Sequence, residues 1–146
     1  MPCLSLFMRT LFPLLMLASG AALAQNPVAQ LSAGMHLIQA EVVSEPGARA
    51  RGLMHRKSLA QNGGMLFVFD EAATHCMWMK NTYVPLSVAF IDDRGTIVNI
   101  ADMEPHDETS HCAARPVRYA LEMNRGWFAA RGIKAGSRLS GFPAWK

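Results

Sequence analysis

Residues 63–69 have the sequence Gly63-Gly64-Met65-Leu66-Phe67-Val68-Phe69, and this stretch decides the fold class. The two glycines interrupt any element that precedes them, and the five apolar residues that follow include no polar position. A continuous apolar run of this length, bounded by a break in the chain, is typical of a strand that is buried on both faces. The sequence therefore predicts that 65–69 is the central strand of a sheet.

Further along the chain, residues 86–91 and 96–100 are predicted to pair as a β-hairpin. They flank Asp92-Asp93-Arg94-Gly95, a turn in which the glycine can adopt the left-handed conformation. Alternating or apolar patterns predict other strands at 35–43, 75–83, 117–123 and 138–141. In the strand at 117–123, Tyr119, Leu121 and Met123 are expected to face inward, and Arg118 and Glu122 outward.

Two short helices complete the pattern. Ser44 offers an N-cap oxygen ahead of a helix at 49–59, and Gly132 is placed to end a helix at 124–131. About seven short strands with two short helices predict an α+β, predominantly β domain, built as a small rolled sheet or barrel.

The first 24 residues predict a secretory signal peptide. One basic residue, Arg9, precedes a short apolar stretch at 10–20, and Ala22-Leu23-Ala24 forms a small-x-small cleavage site before Gln25. We therefore expect a periplasmic or secreted protein with no transmembrane segment after cleavage, because the apolar run is too short to span a bilayer. The small, polar residues at 25–34 predict a flexible N-terminal segment, and 35–146 is expected to form a single domain.

Composition and cysteine count narrow the class of protein. Hydrophobic residues make up 51% of the chain and charged residues 17%, which argues against intrinsic disorder. The net charge of +3 is too small and too scattered to predict nucleic-acid binding. Loss of Cys3 with the leader would leave Cys76 and Cys112, and in an oxidising compartment this pair predicts a disulfide. Such a cross-link would stabilise the fold by roughly 4 kcal/mol on the chain-entropy model.

Several strings in the sequence are distinctive. They are Arg49-x-x-Gly52-Leu53-Met54-x-Arg56, Gly64-Met65-Leu66-Phe67-Val68-Phe69, Trp78-Met79-Lys80-Asn81-Thr82-x-x-Pro85-Leu86, Phe90-Ile91-Asp92, Tyr119-Ala120-Leu121-Glu122 and Gly132-Ile133-x-x-Gly136. Over roughly residues 37–139 the chain resembles the domain of unknown function 192 family, also known as uncharacterised protein family 0127. The resemblance implies a compact, β-rich, often exported domain with no established biochemical activity. Cys76 and Cys112 are not part of the family's motif, so the expected disulfide depends on the compartment alone.

A candidate ligand-binding cleft is centred on 78–82. If this segment is a strand, Trp78, Lys80 and Thr82 share one face, and Met79 and Asn81 share the other, so that Asn81 lies near the core. Candidate ligand-binding residues are Arg49, Arg51, Trp78, Lys80, Asn81, Thr82 and Glu122. The cations would supply charge, Asn81 and Thr82 orientation, and Trp78 an apolar wall, a combination that suits a small anionic or sugar-like ligand. In the structural alternative, Lys80 lies over Trp78 and Asn81 ties two backbone segments together.

Two further classes of function remain open. Soft donors at His75, Cys76, Met77, Met79, His111 and Cys112 suit Cu(I), although a disulfide would remove the thiols and strand-spaced methionines usually belong to the core. A second alternative is an enzyme in which Glu122 pairs with Lys80 or an arginine. The sequence predicts no specific catalytic residue, metal ligand or cofactor, and the expected partner is an unknown small molecule or an envelope protein.

Overall fold

The computed structural model describes residues 25–144, and the predicted signal peptide lies outside this range. The strands are β1 (Val28–Ala33), β2 (His36–Val43), β3 (Gly63–Ala73), β4 (Cys76–Met77), β5 (Leu86–Ile91), β6 (Ile97–Met103), β7 (His111–Cys112), β8 (Val117–Asn124) and β9 (Leu139–Ser140). One α-helix, α1, spans Pro46–Arg51, and Ala129–Arg131 forms a single 3₁₀ turn. Within 25–144 no helix is long and apolar enough to cross a membrane. The prediction of a predominantly β fold with little helix is confirmed.

Seven strands form one sheet in the order β6-β5-β8-β3-β2-β1-β9, so β3 is central, as the apolar run at 65–69 predicts. Every neighbouring pair is antiparallel except β2 and β3. The sheet curls until its edges meet: Thr96, just before β6, bridges Arg138, just before β9, and the Ile97 amide donates to the Ser137 carbonyl at 2.8 Å. The expected rolled sheet is therefore present.

Residues 28–33 correct the expectation of a flexible segment at 25–34. They form β1, which pairs with β2 along its whole length through a tight turn at Gly34 and Met35. Leu31 and Ala33 are buried, whereas Gln30 and Ser32, which precede them, are polar. Two inward residues are too few for a periodic pattern to stand out, so only the pairing with β2 reveals this strand.

The two faces of the sheet carry separate apolar cores. The first core lies inside the curl and receives residues from all seven strands, closed by Trp127 and Phe128. The second core lies on the opposite face of β3, β5, β6 and β8, and it is covered by α1, the turn after it and irregular segments near 77–85 and 103–117. Phe67 and Phe90 are its largest fully buried side chains. Because β3 and β8 separate two cores, both faces of these strands are buried.

Close packing between β3 and β8 explains why the residue at position 64 is glycine. A Cβ at Gly64 would lie 2.4 Å from the Met123 sulfur and 2.6 Å from the Glu122 carbonyl oxygen. The second contact is with backbone, which cannot swing away as a side chain can. Gly64 therefore lets β8 approach β3 at the residue pair next to the one that carries Glu122.

Both predicted helices are shorter than their sequence patterns indicate. The first begins at Pro46, and Gly52 ends it well before residue 59, with a φ of 47° and an amide that bonds to the Ala48 carbonyl. Glu45 occupies the N-cap position, and no side chain caps the helix, so the expected role of Ser44 is wrong. The second is only the 3₁₀ turn, although Gly132 ends it in the left-handed conformation as predicted.

The prediction of a strand over 75–83 is wrong. Only Cys76–Met77 is extended and paired, and its partner is β7 in a separate two-stranded ladder. After Met77 the chain turns: the Thr82 amide bonds to the Met79 carbonyl, and Asn81 has a φ of 52°. By contrast, the hairpin of β5 and β6 is confirmed, with Gly95 at a φ of 83° in its turn.

Candidate functional site

A narrow cavity opens where α1 and the irregular 77–82 segment cover the second core. It encloses about 30 Å³. It is lined by Arg49, Ala50, Arg51, Gly52, Leu53, Met54, Phe67, Met77, Trp78, Lys80, Thr82 and Glu122. The structure thus brings six of the seven candidate residues together around one space, and it leaves Asn81 out.

Glu122 forms the floor of this cavity. Its side chain is 4% exposed, and its neighbours in register are Met65 on β3 and Val88 on β5, both fully buried. Within residues 25–144 no side-chain hydrogen bond or ion pair reaches its carboxyl, whose oxygens open on the cavity; the one fully enclosed side-chain nitrogen or oxygen without a partner is His111 Nε2. Burial raises the pKa of Glu122 to about 8. The expectation that Glu122 faces outward is wrong, because a strand between two cores has no solvent-exposed face. The expected pairing of Glu122 with Lys80 or an arginine is not made either.

The three cations that line the cavity have different surroundings. Arg49 donates to the Ser44 carbonyl, to the Val68 carbonyl at 3.1 Å and to the Asp70 carboxylate at 3.1 Å. Its charge is therefore neutralised locally, and it anchors α1 to β3. Arg51 and Lys80 are exposed, and neither makes an ion pair with any residue in 25–144. These two cations leave the mouth of the cavity positively charged.

Trp78 and Lys80 interact with each other at this mouth. The Lys80 ammonium lies 5.2 Å from the centroid of the Trp78 ring, within the range of a cation–π contact. Trp78 remains 45% exposed. The contact is the one that the structural alternative predicts for Lys80, yet it leaves much of the indole available as an apolar wall.

Thr82 and Asn81 are adjacent in sequence but have different environments. Thr82 is buried, and its hydroxyl donates to the Lys80 carbonyl at 3.1 Å, so its oxygen can still accept a hydrogen bond. Asn81 is exposed in the turn, and its backbone carbonyl accepts from the His55 amide at 2.9 Å. The expectation that the Asn81 side chain lies near the core is wrong, because a turn rather than a strand sets its direction.

A disulfide between Cys76 and Cys112 holds the outer wall of the cavity, as the cysteine count predicts. The two cysteines are direct partners in the β4–β7 ladder, and Met77, which follows Cys76, lines the cavity. The Met79 amide also bonds to the Asp107 carbonyl at 2.8 Å. The 75–82 and 106–113 segments therefore form one cross-linked layer, which we call the strap.

Only part of the soft-donor set is available in this layer, where Met77 and His111 are direct partners in the β4–β7 ladder. The disulfide consumes both thiols, and Met79 is fully buried in the second core. Across 25–144 no three His, Cys, Asp or Glu side chains come close enough to hold an ion.

Sequence reasoning missed an aromatic cluster beside the strap. The His55 Nδ1 lies 3.4 Å from the Tyr83 hydroxyl, and the Tyr83 and His106 rings are 4.9 Å apart. His55, Asn81 and His106 are the non-glycine residues with positive φ in the described chain. The amides of both histidines bond to carbonyls of the 81–82 segment. Asparagine and histidine are both enriched in this conformation, but both are common elsewhere, so residue type alone did not reveal these positions.

Wider grooves elsewhere hold polar groups that already satisfy one another. One groove of about 480 Å³ includes Ser87, whose hydroxyl donates to the Asp102 carboxylate at 2.5 Å and accepts from the Gly126 amide at 2.9 Å. The cavity above Glu122 differs because its buried carboxyl has no such partner.

Comparisons with known proteins identify relatives but no activity. The family model DUF192, described as "Uncharacterized ACR", matches residues 28–141. A protein from Sinorhizobium meliloti 1021, described as a "putative transcription regulator", has a solved structure with 36% identity and a TM-score of 0.78, over 82% of this chain and 98% of that one. A protein of unknown function from Novosphingobium aromaticivorans DSM 12444 has 32% identity and a TM-score of 0.75, over 82% and 94% of the two chains. No curated protein sequence matches the chain.

Proposed function

The chain belongs to the DUF192 family, for which no activity is established, and we propose that it is an exported binding domain for a small anionic or sugar-like ligand. The ligand binds at the cavity above Glu122. The observation that carries this proposal is the Glu122 carboxyl itself, buried and without a partner in 25–144 at the floor of a cavity with a cationic mouth.

A purely structural role does not account for Glu122. A largely buried carboxyl without a protein partner has to be hydrogen-bonded by water or by a ligand, because an unpaired buried polar group costs about 1–3 kcal/mol. Buried titratable groups with displaced pKa values concentrate at functional sites. An apolar residue at this position would pack against Met65 and Val88 without that cost. Retaining a carboxyl here is explained if a ligand supplies the missing hydrogen bond.

Charge at the cavity mouth favours an anion. Arg51 and Lys80 carry no compensating carboxylate in the described chain, whereas Arg49 is neutralised by Asp70. Glu122 is largely protonated at neutral pH because its pKa is about 8, so it does not cancel the two positive charges. The exposed face of Trp78 offers an apolar surface on which a sugar ring can stack.

Binding is tested by titrating the purified protein with three probes: D-glucuronate, glucose 6-phosphate and glucose. Tryptophan fluorescence and amide chemical shifts would report on Trp78 and its neighbours. We expect the anionic probes to perturb 78–82 and the double variant Arg51→Ala/Lys80→Ala to weaken their binding at least tenfold. Arg94→Ala/Lys134→Ala removes the same charge from exposed positions elsewhere and should have little effect. If no probe perturbs this region, or if both double variants behave alike, the proposal is wrong.

Export is tested separately by fractionating cells that express the full chain. The leader at 1–24 and a disulfide between two exposed cysteines both support an oxidising compartment outside the cytoplasm. Protein recovered from the periplasm or medium should begin at Gln25 by intact mass. Full-length protein confined to the cytoplasm would contradict export.

A further inference from the structure

We propose that the cavity takes the carboxylate group of a small sugar acid, and that Glu122 donates its own carboxyl hydrogen to that group. This inference rests on the proposed binding function and narrows it to one ligand chemistry. It also makes anion binding depend on the protonation state of a single side chain.

Size selects the group that enters. The cavity of about 30 Å³ has room for roughly one or two water-sized groups, so a small polar group such as a carboxylate can enter it. A sugar ring is far larger and must remain at the mouth, where Trp78 is exposed. A phosphate group, with three terminal oxygens around a tetrahedral centre, is bulkier than a planar carboxylate.

The surroundings of Glu122 decide which protonation state can receive such a group. Met65 on β3, Val88 on β5 and the Phe67 ring are apolar and offer no hydrogen bond. The Thr82 hydroxyl hydrogen is already donated to the Lys80 carbonyl. Among the side chains described at the floor, Glu122 is therefore the one with a hydrogen free to donate. An ionised Glu122 would instead face the ligand carboxylate as a like charge in a site of low polarity.

Other titratable groups at the cavity are all cations and cannot replace this hydrogen bond at the floor. They are Arg49 and Arg51 from α1 and Lys80 from the strap. Arg49 is bound to Asp70, while Arg51 and Lys80 lie exposed at the mouth and would screen the charge of the entering anion. Burial raises the pKa of Glu122 to about 8, so the donor form is already dominant at pH 7 before any ligand arrives.

A definite pH dependence follows. Affinity for the sugar acid should stay nearly constant from about pH 6 to pH 7.5. Above the Glu122 pKa of about 8 it should fall about tenfold per pH unit, because the ligand then competes with ionisation. In Glu122→Gln the amide donates a hydrogen without titrating, so binding should persist and lose this dependence. In Glu122→Met, which has no donor, binding at pH 6 should weaken at least tenfold.

The experiment is a calorimetric titration with D-glucuronate, glucose 6-phosphate and glucose, between about pH 6 and pH 9.5. Wild type, Glu122→Gln and Glu122→Met are compared, and Lys80→Arg serves as a control that keeps its charge at high pH. Glucuronate binding that falls above pH 8 in wild type and Lys80→Arg, but not in Glu122→Gln, would support the proposal. The same pH profile in wild type and Glu122→Gln would overturn it and leave the binding function standing. Tighter binding of glucose 6-phosphate would overturn the choice of a carboxylate, and no binding of any probe would remove the binding function itself.

A ligand-free measurement guards against variants that do not fold. The Glu122 side-chain carboxyl carbon can be followed by NMR in the wild-type protein as pH is raised. Titration near pH 8 is expected, and titration near pH 4.5, the ordinary value for glutamate, would overturn the proposal without any variant.

Discussion

The two cores of this protein lie on opposite faces of the same sheet and are closed in different ways. The first core is enclosed by all seven strands and sealed by Trp127 and Phe128. The second core is covered by a six-residue helix, turns and the strap, and it contains the buried Glu122 and a cavity. One face is closed by regular strand pairing, whereas the other is closed by irregular segments and a disulfide.

This difference separates the main stabilising core from the proposed binding site within one small domain. Among residues 25–144, apolar burial and strand pairing on the first face leave no enclosed side-chain nitrogen or oxygen unpaired. The second face holds the unpartnered carboxyl, the positive-φ residues His55, Asn81 and His106, and the unpaired cations at the cavity mouth. Departures of this kind from ordinary packing and backbone geometry are expected where a protein retains a functional site.

Truncating a buried side chain of the first core should have the largest effect on stability and should leave the cavity unchanged. Phe128→Ala removes a side chain that is 1% exposed, and we expect a loss of about 3–5 kcal/mol in the free energy of unfolding. Urea denaturation measures this loss, and the Glu122 titration should stay unchanged.

Phe67→Ala is the matched change on the second face, since Phe67 lines the cavity. It should lower both the stability and the pKa of Glu122, because water can then reach the carboxyl. If Phe128→Ala moves the Glu122 titration as far as Phe67→Ala does, the two cores are not independent.

Removing the disulfide tests how much the strap depends on its cross-link. Cys76→Ser should cost about 2–4 kcal/mol, because the unfolded chain regains the freedom of a long loop. A reductant should destabilise wild type by a similar amount and should not change the variant further. Two free thiols in denatured, unreduced protein isolated from the periplasm would contradict the bridge.

Replacing Glu122 should show how much the burial of this carboxyl lowers the free energy of unfolding, because the effect depends on pH. Below pH 4.5 the carboxyl is protonated in both folded and unfolded protein. Between pH 4.5 and about 8 only the folded protein keeps the proton, so the free energy of unfolding of wild type falls as pH rises. At roughly 1.4 kcal/mol per pH unit, the loss in the free energy of unfolding at pH 7 is on the order of 3 kcal/mol.

Glu122→Gln should therefore be more stable than wild type at pH 7 and above, and the two should converge near pH 4. Thermal unfolding across this pH range measures the difference. A stability difference that does not change with pH would show that Glu122 does not titrate as its burial requires.

The smallest effect is expected at an ion pair that joins β2 to the turn after α1. Arg56 donates to both oxygens of Glu41 at 2.8 Å, and this bonding lowers the pKa of Glu41. Because both side chains are partly exposed, Arg56→Ala should cost only about 0.5–1 kcal/mol at pH 7.

The stabilisation by the Arg56–Glu41 ion pair is present above the ordinary pKa of Glu41. It is lost as pH falls through the lowered pKa that Glu41 has in the folded protein. The loss from Arg56→Ala should therefore vanish near pH 2, as measured by denaturant unfolding. Lys57→Ala, at the exposed neighbouring position, is the control and should show no such pH dependence. Equal effects of the two variants would mean that the ion pair contributes nothing.

Predictions from local sequence succeeded where local chemistry is sufficient. The apolar run at 65–69 and the turn at Asp92-Asp93-Arg94-Gly95 located the central strand and the β5–β6 hairpin. They failed at 75–83, where alternating residues resemble a strand but turn at Asn81. They also failed at 28–33, where two inward residues carry no recognisable period. Six of the seven candidate residues line one cavity. The strand alternation on which they were predicted is not what brings them together.

The β-rich class, the principal hairpin and the two cysteines outside the predicted leader could be read from residue type and short-range order, and the family from its resemblance to known motifs. The folded chain was needed to show that Glu122 is buried, that its carboxyl has no protein partner in 25–144, and that it lines one cavity with Arg51, Trp78 and Lys80. Burial of a strand residue depends on what covers each face, and here the cover comes from segments far away in the chain.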